Sequence, residues 1–278
     1  MRVAFHTLGC KVNQYETEAI REQFARAGHE IIEEDGSADV YIINTCTVTN
    51  LADRKSRQFI RKAKKNNRDA VIAVTGCYAQ TNPGEVSRID GVEIIIGTNE
   101  KNNILRKVEE YMMDRGRTVM VKDYAELTEY EELGVIEAMD SRSRAFVKIE
   151  DGCDRFCSYC VIPFARGKVR SRSEKDILTE VRSLLAKGYG EIVLTGINTA
   201  LYGKERGGLE VLDLLKKIDE IRGDFRVRLS SLEPTVINAE YVKRLLDCKK
   251  LCHHLHLSVQ SGSNKILREM NRRYNRDD

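Results

Sequence analysis

Short β-branched runs alternate with longer segments of helical period along almost the whole chain, and this alternation restricts the fold more than any other feature. Strand-like runs fall at Arg2–His6, Val40–Asn44, Val71–Thr75 and Val92–Ile96. Helical segments cover Gln14–Ala27, Leu51–Lys65, Pro83–Ile89 and Asn102–Met112, the second placed behind Asn50, a good N-cap residue. Each helix returns the chain across one face of a sheet, so successive strands run parallel, and an open four-stranded α/β sheet is expected. The alternation restarts with strands Ala145–Ile149, Glu191–Thr195, Arg226–Ser230 and Leu255–Val259. Helices Glu174–Gly188, Leu209–Arg222, Asn238–Leu246 and one from Asn264 accompany them, a repeat that suits a second doubly wound sheet or part of a TIM-type (βα) barrel. Residues 123–140 carry seven acids and no base and read as a linker, which leaves domains at 1–122 and 141–278.

A length of 278 residues accommodates two such domains, and 41% hydrophobic with 32% charged residues is the composition of a folded globular chain. No apolar run approaches the ~20 residues that cross a bilayer. Met1–Cys10 lacks a small-residue cleavage site, so no signal peptide is read there, and a cytoplasmic location away from membranes is expected. In that reducing compartment eight cysteines are not expected to pair as disulfides. They are left as metal ligands, catalytic groups or small buried hydrophobes.

Three of them, Cys153, Cys157 and Cys160, stand as C-x3-C-x2-C directly after the Ala145–Ile149 strand. Three thiolates can hold three irons of a 4Fe-4S cube and leave the fourth iron for a small molecule, whereas an electron-transfer ferredoxin supplies four. A structural zinc site is disfavoured because it closes its shell with four ligands. Three unrelated buried cysteines are the bland alternative. Cys10, Cys46 and Cys77 are distant in sequence, but each follows a strand, in Leu8-Gly9-Cys10, Asn44-Thr45-Cys46 and Thr75-Gly76-Cys77. In a parallel sheet those loops all emerge at the carboxyl edge, where α/β folds hold ligands. For one such cysteine burial is the ordinary reading; for three at equivalent positions a metal cluster is the better one. Cys248 and Cys252, near His253, His254 and His256, read as packing around a strand rather than as a zinc site.

With Tyr159 just before its last cysteine, the C-x3-C-x2-C group resembles that of radical S-adenosylmethionine (SAM) enzymes. Taken with Cys10, Cys46 and Cys77 in a preceding domain, the whole chain resembles the radical-SAM methylthiotransferase family. The strings LGCKVNQYE, NTCTVTNLADRKSRQ, VTGCYAQ and IPFARGKVRSR look most like the branch acting on threonylcarbamoylated tRNA adenosine. The other branches serve isopentenylated tRNA adenosine, usually with GCQMN, and ribosomal protein S12, with GCPKN. The resemblance implies two 4Fe-4S clusters and SAM as cofactors. The cluster on Cys153, Cys157 and Cys160 would bind and reductively cleave SAM, and the auxiliary one on Cys10, Cys46 and Cys77 would supply sulfur for C2 of the adenine. It implies as partners a tRNA anticodon stem-loop and a flavodoxin- or ferredoxin-type reductant protein. Family barrels have six βα units and are usually followed by a small RNA-binding TRAM domain. With four strands after Arg144, a truncated barrel without that domain is expected.

Asn198, Ser231, Glu233 and Gln260 stand at strand ends and are candidates for binding SAM; no catalytic residue is assigned beyond the cluster ligands. Arg166, Lys168, Arg170 and Arg172 are expected to line the path of an anionic substrate. Residues 51–68 hold eight bases and one acid, either a contact for tRNA phosphates or a solvated helix face. Two readings lie outside this class. An iron–sulfur carrier is disfavoured because both cysteine sets lack a fourth member. A pure RNA-binding module is disfavoured by the absence of Trp and 6% aromatic content, which leave few stacking platforms.

Overall fold

Val40–Thr45 and Val71–Gly76 are buried at every residue, as only the central strands of a sheet covered on both faces can be. A computed structural model describes residues 1–136, 143–208 and 210–278. The end of the expected linker and the first two residues of the expected second domain lie outside the described residues, as does Leu209, the expected start of a helix. The chain divides into two units. The first is Met1–Leu127 with Glu131–Gly134 and Phe164–Arg166; the second is Thr128–Tyr130, Val135–Pro163 and Gly167–Asp278.

The first unit runs β1 (Arg2–Thr7), α1 (Lys11–Arg26), β2 (Glu30–Ile32), β3 (Val40–Thr45), α2 (Asn50–Asn66), β4 (Val71–Gly76), α3 (Cys77–Thr81), α4 (Pro83–Ser87), β5 (Ile94–Ile96), α5 (Ile104–Asp114) and β6 (Thr118–Met120). Its strands form one parallel sheet in the order β2-β1-β3-β4-β5-β6. Strand alternation sorts the core into two layers. Tyr41, Ile43, Ile72 and Val74 pack with Phe59, Ile60 and Ala63 of α2, while Val40, Ile42, Val71 and Ala73 face Ile20 and Phe24 of α1 and Ile104 and Val108 of α5. The sheet therefore has six strands rather than the expected four. Glu30–Ile32 and Thr118–Met120 are three-residue edge strands, too short to leave an alternating pattern in the sequence. The start of α2 also differs from expectation. Thr49, held in extended backbone, is the N-cap and its hydroxyl accepts from the Ala52 N–H at 3.1 Å, while Asn50 is already helical.

The second unit contains β7 (Arg144–Lys148), β8 (Glu150–Asp151), α6 (Ile162–Arg166, whose last three residues belong to the first unit), β9 (Arg170–Ser171), α7 (Glu174–Ala186), β10 (Glu191–Thr195), α8 (Val211–Asp219), β11 (Arg226–Leu229), β12 (Ser231–Leu232), α9 (Ala239–Leu246), β13 (His256–Leu257) and α10 (Asn264–Glu269). β7, β10 and β11 are parallel neighbours, and β12, one residue beyond β11, pairs in parallel with β13. Apart from the short antiparallel pair β8–β9, strands that follow one another in the chain are neighbours in space. A doubly wound sheet reverses that order at a switch point, so this unit has the strand order of a (βα) barrel. Among the described residues no helix is long and apolar enough to cross a membrane.

Replacing Thr49 with Ala removes its side-chain cap at the start of α2 and is expected to lower stability by about 1 kcal/mol, read as a shift of the urea midpoint at unchanged slope.

Candidate metal centres

The parallel register pairs Thr7 with Asn44, Asn44 with Thr75 and Thr45 with Gly76, so the loops after β1, β3 and β4 leave the sheet in step. Side chains then tie them together. Asn13 Nδ2 donates to Leu8 O at 2.7 Å and to Thr45 O at 3.0 Å, Asn44 Nδ2 donates to Asn13 O at 3.0 Å, and Thr45 Oγ1 donates to Thr75 O at 2.5 Å. Gly76, at φ +94°, could carry no side chain, because a Cβ would stand 2.3 Å from Thr45 O. A Cβ on Gly9 would stand 3.0 Å from the Cys46 Cβ. Cys10 is exposed, whereas Cys46 and Cys77 are buried. Burial pushes the Cys77 thiol up to about 11, with Arg166 opposing and Cys10 and Cys46 adding to the rise. Cys46 is raised by burial in the same way and also feels Cys10. The three sulfurs thus share one electrostatic neighbourhood, and a metal cluster bound there must displace their protons.

Arg166 completes this site within the first unit. It is fully buried; its Nη1 meets Glu16 Oε1 at 2.8 Å and its Nη2 meets Asn13 Oδ1 at 2.6 Å, with Lys101 Nζ 3.4 Å from Glu16 Oε2. By holding the oxygen of Asn13, the guanidinium turns the amide NH2 toward Leu8 and Thr45. Arg166, Arg170 and Arg172 therefore do not line an open anionic path. They are buried, against Glu16, Asp151 (3.5 Å) and Glu180 respectively, and only Lys168 is exposed. A desolvated guanidinium needs a carboxylate, and none of the three is left to solvent. Asn13, Glu16 and Lys101 escaped the sequence reading. The one local signal was the polar Cys10-x2-Asn13-x2-Glu16 spacing at the start of a helix.

In the second unit the Cys153–Cys160 loop is braced by backbone. Gly152, at φ +82°, lies so close to Lys168 O that a Cβ would stand 1.9 Å away, and Cys153 N–H donates to Gly167 O at 3.0 Å. Cys160 N–H donates to Cys157 O at 2.9 Å, and Asn271 Nδ2 donates to Phe156 O at 2.9 Å. All three cysteines are half-buried. Burial pushes Cys153 up to about 12, with Cys160 among the smaller raising influences; Cys160, also raised by burial, feels Cys157.

Beside this loop the strand ends hold unmatched polar atoms. Glu150 Oε1, Thr195 Oγ1 and Asn198 Oδ1 are buried without a hydrogen-bond partner. Burial holds the Glu150 carboxyl well above the usual carboxylate range, although its Oε2 accepts from the Asn198 N–H at 2.9 Å. Unmet buried polar groups at the carboxyl ends of barrel strands suit a polar ligand such as an amino-acid moiety. Of the sequence candidates, Asn198 and Glu233 are brought together, Nδ2 to Oε2 at 3.4 Å, and Arg155 holds Glu233 at 2.5 Å. Ser231 is half-buried and its carbonyl accepts from Thr199 Oγ1 at 3.1 Å; Gln260 is exposed, at φ +57°. Glu150 and Arg155 were missed, because neither periodicity nor motif marks them. Cys248 donates to Arg244 O at 3.8 Å, and His253, His254 and His256 are exposed. Among the described residues no three His, Cys, Asp or Glu side chains are set around a single metal ion. The thiolates of a cube sit at separate corners and need a wider spacing than the ligands of one ion.

Two outcomes are expected for the metal-free protein. Iodoacetamide at neutral pH should label Cys10 well before Cys77 and Cys153, whose raised, buried thiols become reactive only as the pH climbs toward 11, read by mass spectrometry. Arg166→Met, which strands part of the Glu16 charge, should cost about 3 kcal/mol in urea unfolding.

Residues 2–97 match an uncharacterized protein family, UPF0004, and residues 147–278 match the Radical SAM superfamily. The chain is 46% identical over 273 residues to the threonylcarbamoyladenosine tRNA methylthiotransferase MtaB of Bacillus subtilis, covering 98% of this chain and 60% of that protein. For the protein of the same name from Aquifex aeolicus the identity is 40% over 278 residues, covering 100% and 67%. A tRNA-2-methylthio-N(6)-dimethylallyladenosine synthase of Clostridium perfringens is 36% identical over 289 residues, covering 98% and 62%. The chain thus spans 60% to 67% of the length of these relatives. The solved structure of TsrM from Kitasatospora setae, a radical S-adenosylmethionine methyltransferase, has a TM-score of 0.71 at 14% identity, covering 99% of this chain and 65% of that one, a likeness of fold alone.

Proposed function

Because the chain belongs to the radical-SAM methylthiotransferase family, we propose that it takes part in adding a methylthio group to C2 of threonylcarbamoylated adenosine in a tRNA anticodon stem-loop. The observation that carries this reading is the gathering of Cys10, Cys46 and Cys77 at one sheet edge, in a chain that also holds the Cys153, Cys157 and Cys160 group. Each set would hold a 4Fe-4S cluster through three thiolates. When bound, the clusters and SAM supply reductive cleavage and the sulfur to be transferred.

The chain's own residues bind and orient. Asn198 and Glu233, with Ser231 and Gln260 at neighbouring strand ends, would face the polar groups of SAM. The buried Glu150 carboxyl, whose hold on a proton burial strengthens, would stand beside Asn198 facing the same polar groups. Residues 1–122 would serve as the auxiliary-cluster domain and 141–278 as the SAM domain, joined by acidic 123–140. A flavodoxin- or ferredoxin-type protein would supply electrons, in the cytoplasm.

Two measurements test this. In cells lacking their own enzyme, the chain should restore 2-methylthio-threonylcarbamoyladenosine in tRNA digests analysed by mass spectrometry; methylthiolation of isopentenyladenosine instead would reassign the substrate. Replacing either cysteine set with Ala should leave roughly half the iron. Only loss of Cys10, Cys46 and Cys77 should preserve SAM cleavage while abolishing the methylthio product. A folded variant that lost all iron would sink the two-cluster reading.

A further inference from the structure

The cations of the first unit fall into two classes. Most have partners: Arg57 donates to Tyr78 Oη at 2.9 Å, Lys62 meets Asp35, Lys64 meets Glu93 at 2.9 Å and Arg117 donates to Val92 O at 2.8 Å. Arg54, Lys55, Arg61, Lys65, Arg68 and Arg88 are exposed and have no hydrogen-bond, ion-pair or ring partner among the described residues. They are not scattered. Five lie on α2 or just past its end, and Arg88 follows α4 beside that end. Arg54, Arg61 and Lys65, at steps of seven and four, share one stripe of the helix. Arg61, Lys65, Arg68 and Arg88 then border a single cleft, whose acids are Glu85 (bonded to Tyr78), Glu93 (paired with Lys64) and Asp90.

A helix face that serves solubility alone mixes signs, and like charges four apart, such as Arg61 and Lys65, destabilise it. The one acid of α2, Asp53, is half-buried. Its only aromatic ring, Phe59, is buried in the core, so the face offers nothing for a base to stack on. What remains is a row of positive charges along 17 residues, ~25 Å of helix. It starts four residues after Cys46, at the carboxyl edge of the sheet, and ends at the amino edge where β4 begins.

We propose that α2 is a phosphate rail: the backbone of a base-paired RNA stem runs along Arg54, Arg61 and Lys65 from the cysteine edge and ends against Arg68 and Arg88. The contact is to phosphates, so it supplies affinity and orientation without reading sequence. This rests on the tRNA reading above and says which part of the RNA the first unit holds, the stem rather than the modified base.

The test is fluorescence anisotropy of a labelled, unmodified tRNA transcript over a salt series. The chain is compared with an Arg54→Gln, Arg61→Gln, Lys65→Gln, Arg88→Gln variant and with an Arg26→Gln, Arg106→Gln, Lys107→Gln control, whose cations are paired. Losing four phosphate contacts should flatten the plot of log affinity against log salt by roughly three to four and weaken binding more than about tenfold at low salt. The control should match the unaltered chain, and an unrelated RNA duplex should lose the same slope. An unchanged slope for the quadruple variant, or an equal loss in the control, overturns the rail. So does loss of affinity for polyglutamate with tRNA binding intact. The transcript carries no threonylcarbamoyl group, so the two readings fail separately. Slope loss without methylthio product on modified tRNA sinks the substrate assignment and leaves the rail; product with unchanged slope sinks the rail alone.

Discussion

Everything at the N-terminal site hangs on the register in which β1, β3 and β4 pair. Thr7 opposite Asn44, Asn44 opposite Thr75 and Thr45 opposite Gly76 set three loop starts level at one edge. A slip of one residue in β4 would turn Ile72 and Val74 away from α2 and expose Ala73 and Val71 to the wrong layer. The same slip would move Gly76 from the one place where its missing Cβ lets Thr45 O approach. Core packing and cysteine placement are therefore a single constraint, enforced by residues that touch no ligand.

Buried polarity is treated in two ways. Where charge is structural, it is matched: Arg166 with Glu16, Lys148 with Asp151 at 2.7 Å, and Arg172 with Glu180. Such pairs regain little net stability after desolvation, but each admits one geometry, and Arg166 uses its geometry to orient Asn13 between two cysteine loops. At the barrel-strand ends, by contrast, Glu150, Thr195 and Asn198 keep polar atoms buried and unmatched. An unmatched buried atom costs stability in the absence of a partner, so a cluster of them marks the part of the fold shaped for something other than itself. The unpartnered cations of α2 follow the same logic on the surface, where the cost is mutual repulsion rather than desolvation.

Local pattern made much of this legible. The central strands, the amphipathic helices and the placement of each cysteine after a strand all follow from residues within one element of each other. So does the C-x3-C-x2-C loop, whose spacing is its own evidence. The edge strands Glu30–Ile32 and Thr118–Met120 escaped because three residues cannot display a period. Thr49 rather than Asn50 became the cap because backbone geometry, not side-chain type, selects between two adjacent candidates.

By itself the sequence determined the fold class, the order of the central strands and longer helices, and the place of Cys10, Cys46 and Cys77 after those strands, because hydrophobic period and loop position are local properties. Only tertiary structure decided what the arginines after the second cysteine group do. Arg166 finds its carboxylate 150 residues away in the chain, and Arg172 finds Glu180 inside the helix α7 that follows it. Burial and pairing depend on distances that no spacing encodes. A run of basic residues can thus read as a surface until the fold closes over it, while the run on α2 stays in water because that helix spends its apolar face on the sheet.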